Sequence, residues 1–101
     1  MIKATALYGH PTDPEAFEIY YAQTHIPLAA TMKEVTKIET TKFLPNPDGS
    51  AGAYYRMAEL YFTSVADLQQ ALSSSEGQAT VADLANFATG GVTLITGMVE
   101  N

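Results

Sequence analysis

The chain has no cysteine, and only five of its residues are basic. The absence of cysteine excludes disulfides, thiol nucleophiles and thiolate metal sites. Eleven acidic residues outweigh the basic ones and give a formal net charge of −6. This charge argues against nucleic acid and against an anionic membrane surface as partners.

Long apolar runs are also missing. Residues 1–4 lack the apolar stretch of a signal peptide, and no segment is long enough to span a bilayer, so we expect a cytoplasmic protein. The length of 101 residues fits a single domain over residues 1–101. Charged residues make up only 16% of the chain against 47% hydrophobic ones, which indicates that a partner covers some apolar surface.

The segment 13–32 predicts an amphipathic helix around which the chain is organised. Asp13 is a suitable N-cap, and Pro14 suits the first helical position. Pro27 lacks a backbone donor and disfavours helical angles at Ile26, so we expect a break or kink at residues 24–27. The predicted buried stripe has helical spacing and consists of Phe17, Tyr20, Tyr21, Thr24, His25 and Leu28.

The remaining sequence predicts four strands and a second helical region. Alternation and β-branched residues place the strands at 2–8, 34–44, 54–62 and 92–99, with a bulge at Gly97. The second helical region runs from Ser64 to Gly90 and is interrupted at residues 73–75, with Ser75 as its second cap. The order β-α-β-β-α-β predicts an α+β, ferredoxin-like fold with a four-stranded antiparallel sheet.

The third predicted strand is apolar on both of its faces. Two helices on one side of the sheet cover only one face, so a second copy of the sheet is the simplest cover for the other. We therefore expect a homodimer joined through the open sheet face. Alternation puts Ala58, Leu60 and Phe62 on one face of this strand and Tyr55, Met57, Glu59 and Tyr61 on the other.

The order and spacing of several short motifs resemble the EthD family over nearly the whole chain. The resemblance implies a dimeric α/β barrel, in which two sheets pack face to face around a cavity. The same barrel hosts cofactor-free monooxygenases, isomerases and dehydratases, and also haem enzymes. The matching segments are Leu7-Tyr8, residues 13–17, Tyr20-Tyr21, residues 25–29, residues 58–62 with Ser64, residues 75–78 and residues 82–88.

His25 is the candidate catalytic residue. It matches the histidine of the family's His-x-Pro-Leu motif, and it acts either as a general acid or base beside a cavity or as a packed histidine at a helix end. Tyr8, at the end of the first strand, is expected either to reach the same pocket or to pack in the core with its hydroxyl at the surface. Asp83 is expected either to bond a nearby histidine or to cap a helix.

Glu59 and Tyr61 are the other candidate substrate-binding residues. A carboxylate in an apolar strand is costly unless it is paired or protonated, so Glu59 is either a site acid or one half of an ion pair with Lys42 or Arg56 across the dimer. Tyr61 and Met57 are expected to line the same cavity as His25. No metal site is expected, because the two histidines lack metal-ligand spacing.

These features favour a cofactor-free enzyme that acts on a small, apolar, oxygenated molecule. The reaction would be of the monooxygenase, isomerase or dehydratase type. The alternative is a non-catalytic protein that binds or sequesters such a molecule. A haem protein is disfavoured, since a chain this short has little room for a porphyrin.

Overall fold

One four-stranded antiparallel sheet and a layer of helices make up the computed structural model, which describes residues 1–100. The strand order is β2-β3-β1-β4, so β1 and β3 are central and β2 and β4 are the edges. This arrangement confirms the predicted ferredoxin-like α+β fold. The strands are β1 (Ile2–Tyr8), β2 (Lys37–Lys42), β3 (Arg56–Phe62) and β4 (Val92–Met98). The helices are α1 (Pro14–Tyr20), α2 (Ile26–Ala29), α3 (Val65–Ser73) and α4 (Ser75–Asp83).

The core lies between the helices and one face of the sheet. At one end, Ile2 and Phe62 pack with residues of α2 and α3, and at the other end Tyr8 packs with Phe17 of α1 and with Phe87. Because successive strand residues point to opposite faces, these positions define the helix-covered face. The alternate residues Lys3, Thr5 and Leu7 of β1 therefore lie on the open face.

The helix around which the chain is organised continues through Pro27, so the break predicted as one alternative at residues 24–27 is absent, and the irregularity is a π-helical turn. Asp13 caps α1 as predicted, since its side chain accepts a hydrogen bond from the Ala16 amide. A five-residue π-helical turn, Tyr21–His25, then leads directly into α2. Ile26 is helical (φ −64°, ψ −43°), and its amide donates to the Tyr21 carbonyl oxygen five residues earlier. The wider turn accommodates the ring of Pro27 without interrupting the helix.

Several element boundaries differ from the predictions. The second strand begins at Lys37, because the Val35 amide bonds the Met32 carbonyl in a turn at residues 32–35. Gly97 pairs with Lys3 in regular register, so the predicted bulge is absent. The side chain that caps α4 belongs to Ser74, not Ser75, and a single 3₁₀ turn, Leu84–Asn86, ends the helical region before Gly90. No helix within residues 1–100 is long and apolar enough to cross a membrane.

Candidate functional site

A cavity of about 150 Å³ lies between the helix-covered face of the sheet and the helices. Its floor is formed by Ala4 and Ala6 of β1 and by Ala58 and Leu60 of β3. Its roof includes His25, Ile26, Ala29, Thr80 and Val81, and the edge strand β4 contributes Leu94. The lining is almost entirely apolar, which is typical of a site for a small apolar ligand with a few polar contacts.

His25 lies at the end of the π-helical turn and is only 4% exposed. Its Nδ1 is 2.9 Å from Oδ2 of Asp83. Burial lowers the pKa of His25 below its ordinary value, and the hydrogen bond and charge of Asp83 offset part of that shift. The imidazole is therefore neutral near pH 7. A carboxylate at Nδ1 holds the proton there and leaves the Nε2 lone pair free to accept one.

Asp83, the last residue of α4, is held from both sides. Besides its contact with His25, it accepts through Oδ1 from the Tyr20 hydroxyl at 2.5 Å and from Asn86 Nδ2 at 2.9 Å. Burial alone would raise the pKa of Asp83, but the hydrogen bonds from Tyr20, Asn86 and His25 outweigh it and lower the pKa. The carboxylate therefore stays ionised beside the imidazole. It can stabilise an imidazolium if His25 takes up a proton.

Tyr8 lines the same cavity as His25 but is a core residue, only 1% exposed. Its ring makes edge contacts with Phe17 and Tyr21, at centroid distances of 5.4 and 5.6 Å. Burial raises the pKa of the Tyr8 hydroxyl well above its usual value, so it stays protonated at physiological pH. The hydroxyl can therefore donate a hydrogen bond to a ligand but cannot act as a base.

Glu59 and Tyr61 do not share the cavity with His25, contrary to the expectation. They lie on the open sheet face, where Glu59 and Met57 line a separate depression of about 300 Å³. The ion pair of Glu59 with Lys42 or Arg56 across the dimer stays a prediction, since it would join two chains. Within the chain, Glu59 pairs with Lys3 at 2.7 Å. The register explains this, because Lys3 faces Tyr61 and so lies diagonally from Glu59 on the same face.

Tyr55 does not lie on the open sheet face, where alternation with Met57 had predicted it. It precedes β3 and turns to the helix-covered side, where its ring lies 5.2 Å from that of Phe17. The Tyr55 hydroxyl donates to Glu18 at 2.9 Å, and Arg56 donates to both carboxylate oxygens of Glu18. Chiefly through the hydrogen bond from Arg56, the pKa of Glu18 falls to about 2. Within the chain, Arg56 is thus committed to α1.

Several residues of the site were not identified from sequence. Tyr20 and Asn86 hold Asp83, and their only sequence signal is local: Asn86 follows Asp83 by one helical turn, and Tyr20 lies on the predicted stripe. Thr80 lines the cavity, and its hydroxyl donates to the Glu76 carbonyl oxygen. Within residues 1–100, no group of three or more histidine, cysteine, aspartate or glutamate side chains is placed to hold a metal ion.

The sequence and the fold both match one family of proteins. A model of the EthD domain matches residues 9–91. A Rhodococcus erythropolis protein described as an uncharacterized 11.0 kDa protein in the thcB-thcC intergenic region is 42% identical over 95 residues, which cover 94% of this chain and 91% of that protein. The crystal structure of an ethyl tert-butyl ether d (EthD) family protein from Bacillus halodurans matches with a TM-score of 0.92 and 34% identity over 99% of both chains.

A more distant structure shares the fold alone. It is a dimeric protein of unknown function and ferredoxin-like fold from Bacteroides fragilis, with a TM-score of 0.68 and 16% identity. The match covers 97% of this chain and 95% of that chain. At this level of identity, the likeness concerns the backbone architecture and carries no residue-level correspondence.

Proposed function

The chain belongs to the EthD family, and we propose that it is an enzyme in which His25 transfers a proton to or from a small, apolar, oxygenated compound. The observation that carries this proposal is the His25–Asp83 pair at the wall of an apolar cavity. A neutral imidazole with one nitrogen fixed by a carboxylate is a suitable general base. Its other nitrogen is free to meet a ligand in the cavity.

The proposed step follows from this geometry. Nε2 of His25 accepts a proton from a C–H or O–H group of the ligand, and the electron pair left behind moves toward the ligand oxygen. The Asp83 carboxylate stabilises the imidazolium that forms, as a fixed negative charge that is itself buried. Return of the proton to a different ligand atom gives an isomerisation, whereas loss of a leaving group gives an elimination. Both use only the side chains of the chain.

One observation favours a non-catalytic binding protein as the second candidate. His25 and Asp83 are both buried, and their contact joins the end of the π-helical turn to α4. The pair therefore also serves as a structural tie between two helical segments. In that case the cavity would hold a similar molecule without converting it.

The basicity of His25 can be tested with 1,2-benzisoxazole, a compact aromatic compound. A base removes its ring C–H proton, the N–O bond breaks, and 2-cyanophenolate forms, which is followed by its absorbance. We expect the wild-type rate to rise with pH through the titration of His25 and to level off above it. In His25→Gln the rate should fall by on the order of 10²-fold.

The matched control is His10→Gln, because His10 is exposed and its Nε2 lies 2.7 Å from the Gly52 carbonyl oxygen, away from the cavity. This variant should retain the wild-type rate. If His25→Gln remains as fast as the wild type, His25 is not the base. If the probe binds the wild type but reacts no faster than with free imidazole, the binding-protein candidate is favoured instead.

We further propose a homodimer joined through the open sheet face. Leu7, Met57 and Tyr61 lie on that face, and Ile95 on it is 52% exposed. Lys3 and Glu59 also lie on this face, but they form an ion pair with each other, so neither charge is left unpaired there. A dimeric protein of the same fold from Bacteroides fragilis supports this assembly. Stable interfaces of this kind bury on the order of 2,000 Å² or more.

A further inference from the structure

The floor of the cavity is built from alanines at positions where strands usually carry larger side chains. Ala6 of β1 pairs directly with Ala58 of β3, and Ala4 follows on the same face of β1. Alanine is depleted in strands, where β-branched and aromatic residues pack better. Large side chains flank the three alanines along the same face, with Tyr8 at one end and Ile2 at the other. The hollow therefore exists because these side chains are short.

We infer that Ala4, Ala6 and Ala58, which we term the alanine floor, set the size of the ligand. This inference rests on the proposed function of the same cavity and adds the ligand class. A cavity of about 150 Å³ matches the size at which an engineered apolar cavity in another protein binds benzene. The ligand is therefore a single-ring or similarly branched molecule with on the order of ten non-hydrogen atoms or fewer.

The polar groups of the cavity fix how such a ligand lies. The alanine floor offers only methyl groups, whereas the roof offers His25 and Thr80, and Tyr8 lies beside the floor at the end of β1. The ligand thus places its hydrocarbon part on the alanine floor and one oxygen toward the helices. A phenol with a small apolar substituent has this chemistry, and p-cresol is a suitable probe.

The test is titration of the protein with p-cresol, followed by the chemical shifts of the cavity alanine methyl groups and by calorimetry. Ala6→Val adds two methyl groups to the floor and should weaken p-cresol binding by at least ten-fold, as should Ala58→Val. Ala82→Val is the matched control, because Ala82 is exposed on α4 and does not line the ligand cavity. It should bind p-cresol as the wild type does. Thermal melting checks that each variant is folded.

A second measurement needs no variant. The wild type should bind p-cresol at least ten-fold more tightly than the three-ring 9-phenanthrol. Wild-type affinity in Ala6→Val or Ala58→Val would overturn the assignment of the floor, and equal or tighter binding of 9-phenanthrol would overturn the size class. Failure of the wild type to bind p-cresol would also overturn it. Benzisoxazole turnover in His25→Gln is a separate measurement. The proposal that His25 is the base and the proposal of the ligand class can therefore be refuted independently.

Discussion

Asp83→Asn isolates the contribution of the carboxylate that holds His25. Asparagine keeps the shape of the side chain but replaces one acceptor oxygen by a donor, whereas the two oxygens of Asp83 accept from His25, Tyr20 and Asn86. Either the Nδ1 proton of His25 loses its acceptor, or the proton moves to Nε2 so that Nδ1 accepts from the new amide; in both cases the charge-assisted hydrogen bond is lost. We expect the free energy of unfolding to fall by about 2 kcal/mol, and the melting temperature to fall by roughly 8–16 °C.

Asp83→Asn should also lower the pKa of His25. In the wild type, burial lowers this pKa and Asp83 raises it. Without the carboxylate only the lowering remains, so the pKa of His25 should fall further. The folded-state pKa of His25 lies below its unfolded-state value, so protonation of this side chain favours the unfolded state. The free energy of unfolding should therefore be at its full value above about pH 6.5 and should decline as the pH falls below it. This decline should be larger in the variant.

The assay is titration of the imidazole C–H resonances by NMR, alongside thermal melting across the pH range. The resonance of His10 provides an internal reference in each spectrum. Asp67→Asn is the matched control, because Asp67 lies in the first turn of α3, away from His25. A His25 pKa that stays constant or rises in Asp83→Asn would show that the two side chains are not coupled, and the general-base argument would fail with it.

Three further predictions concern other parts of the fold. The Glu18–Arg56 contact should lose its stabilisation of about 1–3 kcal/mol as the pH falls from 4.5 through about 2; Glu18→Gln should remove this acid-dependent loss in urea titrations. Met57→Asp should weaken the proposed dimer, and light scattering at micromolar concentration that shows an unchanged dimer would place the interface elsewhere. Gly77→Ala should cost about 2–3 kcal/mol in thermal melting, because its methyl group would overlap the Ala71 carbonyl oxygen; an unchanged melting temperature would contradict the close approach of α3 and α4.

The fold could be predicted because local patterns agree with it. The Asp13 cap with Pro14 marks the start of α1, and the order of strands and helices leaves few topologies for a chain of this length. The parity of the β3 residues Ala58, Met57 and Glu59 also follows from alternation alone. Each of these features depends on residues that are close together in the sequence, so one sequence is enough to predict it.

The candidate site could be predicted only in part, because it depends on long-range register. That Lys3 pairs with Glu59 within the chain follows from how β1 is aligned with β3. From sequence alone, Asp83 was expected either to contact a histidine or to cap a helix. The contact requires the end of α4 to reach the π-helical turn, 58 positions earlier in the chain.

The π-helical turn accounts for the remaining error in the buried stripe. Regular α-helical spacing places Thr24 and His25 together on the buried face, but Thr24 is exposed and Ala29 is buried. A π-helical turn adds a residue to the turn, so the face that follows it is rotated. The sequence signal was Pro27, from which we predicted a break or kink, because a proline inside a helix usually breaks or kinks it. A widened turn is the less common response to the same steric conflict.

Three features that lower stability lie around this one cavity. The π-helical turn departs from regular helix geometry, the alanine floor gives up packing, and the Asp83 carboxylate is removed from water. A purely structural tie between helical segments would explain the carboxylate but not the hollow floor opposite it. A packing defect would explain the floor but not the buried carboxylate that holds His25. Departures from regular geometry and packing are expected at functional sites. Three such departures occur together around His25, which favours a functional site over a structural one.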